Sequence, residues 1–168
     1  MKPNHVIAVR PATDCDASDI VTLVRSERLN PFDLDWRRFV VATDGTEVVG
    51  AVQVRRHPDG SRELGSLVVR KDARRHGIAS RLIDAALSAY GLRIFMITGT
   101  RFAHHYERWG FRRIASRRAP WPVLRNYWLG RLAAIQSFLA GRPPNTLAVL
   151  ERVPAAAPWR SQGSSPAM

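Results

Sequence analysis

The sequence predicts an α/β fold, a mixed and mostly antiparallel sheet flanked by helices, and three observations carry that reading. The first is the stretch from Glu63 to Tyr90. An apolar, β-branched run, Leu64 to Val69, gives way to a polar turn, Arg70 to His76. From Gly77 the apolar residues Ile78, Leu82, Ala85 and Ala89 then recur at helical spacing, flanked by Ile83, Ala86 and Leu87. This reads as strand, loop, helix. The second observation is a pair of hairpin signals ahead of that stretch, Asp44-Gly45 and Pro58-Asp59-Gly60-Ser61, each between β-rich runs. The third is a set of short apolar runs behind it, Ile94–Ile97, Phe111–Ala115 and Thr146–Leu150, which suit buried strands and are too short for helices.

Taken in order, Val6 to Pro11 reads as a first strand stopped by proline. The segment Thr13-Asp14-Cys15-Asp16 supplies N-cap residues for a helix carrying Ile20, Leu23 and Val24. Leu29 to Trp36 is a loop or irregular helical piece whose aromatics, Phe32 and Trp36, either cap the core or touch a substrate. Phe39–Ala42 and Glu47–Val54 form the first hairpin, and the second turn returns the chain into a strand from Arg62. Phe102 to Trp109 is a short helix. Pro120 and Pro122 introduce a further helix over about 124–139, inside an inserted segment spanning 120–144. Residues 1–153 are thus expected to form one domain, and 154–168, rich in Ala, Pro, Ser and Gly, a disordered tail.

Composition bounds the setting more than the function. A chain of 168 residues suits one domain with a proper core. A single cysteine, Cys15, excludes an internal disulfide framework. No apolar stretch approaches the ~20 residues that span a bilayer, and the short run Val6–Val9 is no signal peptide, so a cytoplasmic protein is expected. The net charge of +12 is almost all arginine. It attracts coenzyme A, RNA and anionic lipid alike and cannot choose among them.

The turn at the head of the organising helix has chemistry of its own. Backbone N–H groups at a helix start lack intrahelical partners and sit at the positive end of the helix dipole. With Gly77 allowing close approach, and Arg74 and Arg75 adding charge, the amides from Arg74 through His76 and Ile78 to Ala79 form a phosphate cradle, or else an ordinary basic helix start. Here the chain resembles the GNAT superfamily of acyl-CoA-dependent N-acyltransferases. Arg74-Arg75-His76-Gly77-Ile78-Ala79 fits that family's motif of Gln or Arg, two residues, Gly, one residue, then Gly or Ala. Tyr106-Glu107-Arg108-Trp109-Gly110-Phe111 is similar to a second family motif, Tyr-Glu-x-x-Gly-Phe, in the expected order.

The resemblance implies a GNAT fold with a sheet splayed between the Glu63 and Ile94 strands and acetyl-CoA as cosubstrate in the splay; no metal is expected, because no third ligand stands at metal spacing from His104 and His105. It implies that the turn 74–79 holds the coenzyme phosphates, that the N–H of Leu67 faces the reacting oxygen at a strand bulge, and that the N–H of Val69 binds the pantetheine arm. It also implies Glu63 as general base, its pKa raised by burial if it does that work; Glu47 and Asp59, from neighbouring turns, are weaker candidates, and the plainer reading of Glu63 is a solvated strand-start carboxylate paired with Arg62 or another arginine. Tyr106 matches the tyrosine near the coenzyme sulfur, or else is a core residue. The family's usual insertion-free region before the last strand is replaced here by the segment 120–144. An asparagine often found ahead of the tyrosine motif is missing, Arg101 and Ala103 standing there. His104 and His105, being adjacent, are expected to point apart.

The chemistry such a site faces is clear from elementary acid–base reasoning. An ammonium of pKa near 10.4 is neutral in only about one molecule in 2,500 at pH 7, a handicap of roughly 4.6 kcal/mol. A positioned base is the natural remedy. The expected activity is direct transfer of acetyl from acetyl-CoA to a primary amine, first an amino acid or other small amine, second a protein N-terminus or lysine side chain. Alternatives from other classes are a non-catalytic CoA-binding module and an RNA- or membrane-associated protein, a nucleic-acid partner being disfavoured. The inserted helix could lie on a membrane surface, form an oligomer or pack on the domain; packing or a homodimer is favoured, because only two arginines lie within it and a peripheral anchor usually carries a denser basic face.

Overall fold

The computed structural model describes residues 7–27, 29, 33–89, 93–139 and 146–153, the side chains of 137–139 excepted. Val6, Asn30 to Phe32, Tyr90, Pro143, Pro144 and the proposed tail from Pro154 lie outside the described residues. Seven strands form one sheet: β1 (Ile7–Pro11), β2 (Phe39–Asp44), β3 (Glu47–Arg56), β4 (Arg62–Val69), β5 (Ile94–Gly99), β6 (Phe111–Ile114) and β7 (Leu147–Arg152). Their spatial order is β1-β2-β3-β4-β5-β7-β6, and all neighbours are antiparallel except β4 and β5. The parallel pair follows from the connection between them. A strand that is to lie parallel to its predecessor needs a crossover, and α2 (Ile78–Ser88) supplies it.

Two apolar layers cover the two faces, because the strands alternate. Val52, Val54, Leu64, Met96 and Leu150 pack with Ile78, Leu82, Ile83, Ala86 and Leu87 of α2 on one face. Of the residues expected on the apolar stripe of this helix, Ala85 is only half-buried and Ala89 is exposed, just beyond its end. The approach of α2 to the sheet is tight. A Cβ on Gly50 of β3 would stand 3.0 Å from Leu82 Cδ1 and 3.2 Å from Ile78 Cγ2. On the opposite face, Ile20, Leu23 and Val24 of α1 (Ala17–Ser26) pack on Phe39, Val41, Ala51 and Val68, with Trp36 half-buried at the margin. Trp36 therefore serves this core, as the capping reading expected.

The third helix, α3 (Trp121–Leu139), shares the α1 face at the other end of the sheet. It begins three residues before the expected start and takes Pro122 into its first turn, where the missing N–H costs nothing. Val123 and Tyr127 are buried against Phe95 of β5 and Val149 of β7. Gly130 lets the helix close on β7, since a Cβ there would meet Leu147 Cδ1 at 2.9 Å. The segment Thr100–Trp109 is a 3-10 helix, ended by Gly110 at φ +80°. The rings of His104 and His105 do not diverge within it; they meet edge to face at 3.9 Å between centroids.

The head of α1 carries the most strongly shifted carboxylate. Asp16, 4% exposed, accepts from Arg10 at 2.7 and 2.9 Å, from the Thr13 N–H at 2.7 Å and from the Thr13 hydroxyl at 2.9 Å. The Arg10 bond is the largest cause holding its pKa far below the ordinary carboxylate value. A depressed folded-state pKa contributes stability that is complete above the unfolded value near 3.9 and is lost as pH falls through the folded one. Asp16→Asn is therefore expected to melt lower than the parent at pH 7 and to lose less on acidification from pH 6 to pH 3. A parallel acid limb in the two melting series contradicts this assignment.

Candidate active site

β4 is where the sheet opens. Its pairing with β5 is confined to Glu63 opposite Phe95 and Leu64 opposite Met96. Beyond that point β5 stays with β7 along its whole length, while β4 stays with β3. The register between β3 and β4 also slips, so that Ser66 and Leu67 together oppose Val52, and Ser66 takes the left-handed conformation at φ +51°. The bulge turns the strand away from β5.

The consequence for the backbone follows from alternation. Arg70 donates its N–H to Val49 O at 2.8 Å, toward β3. Val69 and Leu67, one and three residues back, thus direct their N–H groups to the other edge, the one β5 has left. The carbonyl of Val69 on that edge accepts from Arg74 Nε at 2.8 Å. Leu67 and Val69 stand on the open edge of β4, and β4 leads directly into the turn 70–77.

That turn is a short 3-10 piece, Lys71–Ala73, followed by two left-handed residues, Arg75 at φ +68° and Gly77 at φ +74°. Arg74, between the 3-10 piece and Arg75, is extended at φ −71° and ψ 161°. Among the described residues, no protein acceptor takes the N–H of Arg75, His76 or Gly77. Gly77 is the N-cap of α2 and makes no side-chain cap. A Cβ there would meet nothing within 4 Å, so the space before the turn is open. Arg74 is tied to Glu27 at 2.7 Å, and the His76 ring lies 3.3 Å from Ala73 O. Arg74, Arg75, His76, Gly77, Ile78 and Ala79 thus form one continuous rim from β4 into α2.

Glu63 is not solvated, though it does pair with an arginine, Arg55. It is 3% exposed, and three donors hold it: Arg55 Nη1 at 3.1 Å on Oε1, and His57 Nε2 at 3.1 Å and Asn126 Nδ2 at 2.9 Å on Oε2. Arg55 is placed by a glycine. Its guanidinium lies across Gly65, where a Cβ would come within 2.6 Å of Nη1. The same guanidinium donates to Ser66 Oγ at 3.1 Å and, with the Gln53 amide oxygen turned toward it, to Gln53 at 2.9 Å. The weaker candidates lie elsewhere. Glu47 pairs with Arg70 at 2.8 Å, and Asp59 is bonded to Ser61 in the hairpin turn.

Gln53, Arg55, His57 and Asn126 are the site neighbours that the sequence motifs do not name. Gln53 and Arg55 carried a signal: they alternate along β3 with Val52 and Val54, which belong to the core, and His57 follows one residue beyond the strand's end. A polar face inside an otherwise apolar strand marks a buried polar strip. Asn126 carried a weaker signal, a polar residue beside Tyr127 and one turn from Val123 and would-be core on an apolar helix.

Tyr106 lies in the 3-10 segment on the opposite face, packed against the α2 core with its ring 6.3 Å from that of Phe111. Burial raises its pKa above the ordinary phenol value, while a hydrogen bond with Thr98 of β5 opposes the shift. It is held as a neutral O–H donor through neutral pH. The structure thus places the turn and the open β4 edge together, and it brings Glu63 to the near end of that edge. Tyr106 comes from the other strand of the fork, by way of Thr98.

Comparison with known proteins agrees with this geometry. The profile of the Acetyltransferase (GNAT) domain matches residues 35–113, a span that contains the bulge, the turn and the tyrosine motif. Over those residues the chain is similar to the GNAT acetyltransferase domain, and the fold it adopts is that domain's. Solved structures with the GNAT domain's fold include N-acetylglutamate synthase from Neisseria gonorrhoeae complexed with coenzyme A and N-acetyl-glutamate. It aligns at TM-score 0.64 and 15% identity over 90% of this chain and 36% of that one. This chain therefore spans about a third of that enzyme's length. Rv2747 from Mycobacterium tuberculosis, solved with CoA, aligns at TM-score 0.65 and 19% identity over 87% of this chain and 98% of that one. Escherichia coli ElaA aligns at TM-score 0.62 and 10% identity over 88% and 99% of the two chains. No curated protein matches the sequence.

Proposed function

We propose that the protein transfers an acetyl group from acetyl-CoA to the primary amine of an amino acid or other small molecule. The observation that carries this reading is the fork at Leu64, where β4 leaves β5 and runs, with an open edge, into a turn in which the N–H groups of Arg75, His76 and Gly77 have no protein acceptor among the described residues. Those features fit an extended ligand that ends in phosphates, the amides of Leu67 and Val69 serving its arm and the rim 74–79 its phosphates. When bound, acetyl-CoA supplies an acetyl group activated as a thioester. The chain's part is to position it, to take a proton and to hold negative charge.

Glu63 is assigned the proton. A carboxylate offers about four acceptor positions, and Arg55, His57 and Asn126 use three, which leaves one on Oε1 for the amine or a water between them. His57, on the other oxygen, is the next group along the same network. The N–H of Leu67 donates to the oxygen that gains charge, and the neutral phenol of Tyr106 holds a proton at its Oη. Release of thiol from acetyl-CoA across a panel of amino acids, polyamines, aminoglycosides and peptides tests the whole. Turnover with a free amino acid or small amine is expected; turnover with peptides alone replaces the small acceptor by a protein N-terminus or lysine, and coenzyme binding without turnover for any amine refutes catalysis.

The turn has a sharper test. Gly77→Ala places a Cβ in the open space before the turn and strains a left-handed residue by about 1–2 kcal/mol. Coenzyme A binding measured by calorimetry is expected to weaken about tenfold or more in a protein that still melts cooperatively. Unchanged binding removes the turn from the phosphate site.

A further inference from the structure

α3 is apolar on both faces. Its inner face packs on β5 and β7, yet Trp121, Trp128, Leu132 and Ile135 stand on the outer face, 70%, 51%, 58% and 51% exposed. At 100° per residue these four fall in one narrow arc, with Arg125 on one side and Arg131 on the other. A helix that is hydrophobic all round has both faces covered in use. Isolated exposed apolar residues are ordinary, but two tryptophans and two aliphatics on one stripe are not.

The charge around this stripe identifies the covering surface. Between Glu107 and Glu151 the sequence holds eight arginines and no carboxylate, so 8 of the 12 net positive charges fall in this stretch. Arg117 and Arg118, in the turn that feeds α3, and Arg125 and Arg131 on the helix are all exposed. A second copy of the chain would set this excess against itself. A nucleic acid would answer the arginines but has no use for Leu132 and Ile135. A surface that offers negative headgroups over hydrocarbon answers both, with tryptophans at the boundary. The helix cannot cross such a layer, for no helix among the described residues is long and apolar enough. We propose that α3 docks the protein on anionic lipid membranes, lying in the plane of the interface with its outer stripe embedded and its arginines on the headgroups.

The test is co-sedimentation of the full chain with vesicles of phosphatidylglycerol and phosphatidylcholine, beside vesicles of phosphatidylcholine alone. Binding to the first and not the second is expected, weakening about tenfold or more between low and high salt. The variant Trp128→Ser/Leu132→Ser should lose binding while its melting curve and its coenzyme A affinity stay those of the parent. Should that variant fail to fold, Arg117→Gln/Arg118→Gln/Arg125→Gln provides the second arm, with the same loss expected. Equal binding to neutral vesicles, or none to anionic ones, overturns the proposal. So does a dimer in analytical ultracentrifugation that Trp128→Ser/Leu132→Ser dissolves, or binding of single-stranded RNA that the arginine variant abolishes and the apolar variant spares. None of these readouts depends on acetyl transfer, so the proposal stands or falls apart from the catalytic one.

Discussion

Glu63→Gln is expected to lower turnover at saturating amine by at least about tenfold, toward the 10²–10⁴ that general acid–base catalysis supplies, while coenzyme A still binds. The substitution keeps the volume of the side chain and its place on β4, but its amide cannot hold the proton an ammonium must shed. It also offers an N–H₂ where the carboxylate accepted, so part of the loss could arise from disorder among Arg55, His57 and Asn126. The pH profile separates the two. Loss of proton acceptance removes the rising acid limb of kcat/KM, whereas simple misplacement lowers the whole curve without changing its shape. Unchanged turnover excludes Glu63 from the reaction, and His57 becomes the group to test next.

Arg55→Met has the largest expected effect on stability. Glu63 is buried and paired with a buried guanidinium at 3.1 Å. Removing one partner of such a pair leaves the other uncompensated, a cost of about 3–5 kcal/mol. For a chain of this size that lowers Tm by roughly 6–20 °C. Replacing both partners with apolar groups is far less costly, so Arg55→Met/Glu63→Leu should regain much of the loss. A double variant as unstable as the sum of its singles means that the pair is not coupled.

The frame of the fold was legible because its signals are local. The apolar run Leu64–Val69, the turn rich in Arg and the stripe beginning at Ile78 specify strand, loop and helix with no knowledge of the rest. Both hairpins announced themselves by Asp-Gly turns, and the fork between β4 and β5 was expected from the family resemblance alone. The surroundings of Glu63 were less legible. Arg55 and His57 meet it only because β3 and β4 pair in one register, and Asn126 only because α3 folds back over the sheet. Such contacts are tertiary and leave little trace in periodicity. Gly65 is the instructive case: it reads as a weak point in a strand, yet it is the seat of the Arg55 guanidinium.

The bond from Asn126 to Glu63 joins a late part of the chain to an early one. A ribosome releases Glu63, Arg55 and His57 well before it releases Asn126, and β7, against which α3 settles, later still. A nascent chain halted after β6 therefore holds Glu63 without one of its three hydrogen-bond donors. The polar setting of Glu63, on a strand from the middle of the chain, is thus completed only when α3 and the last strand beneath it have emerged.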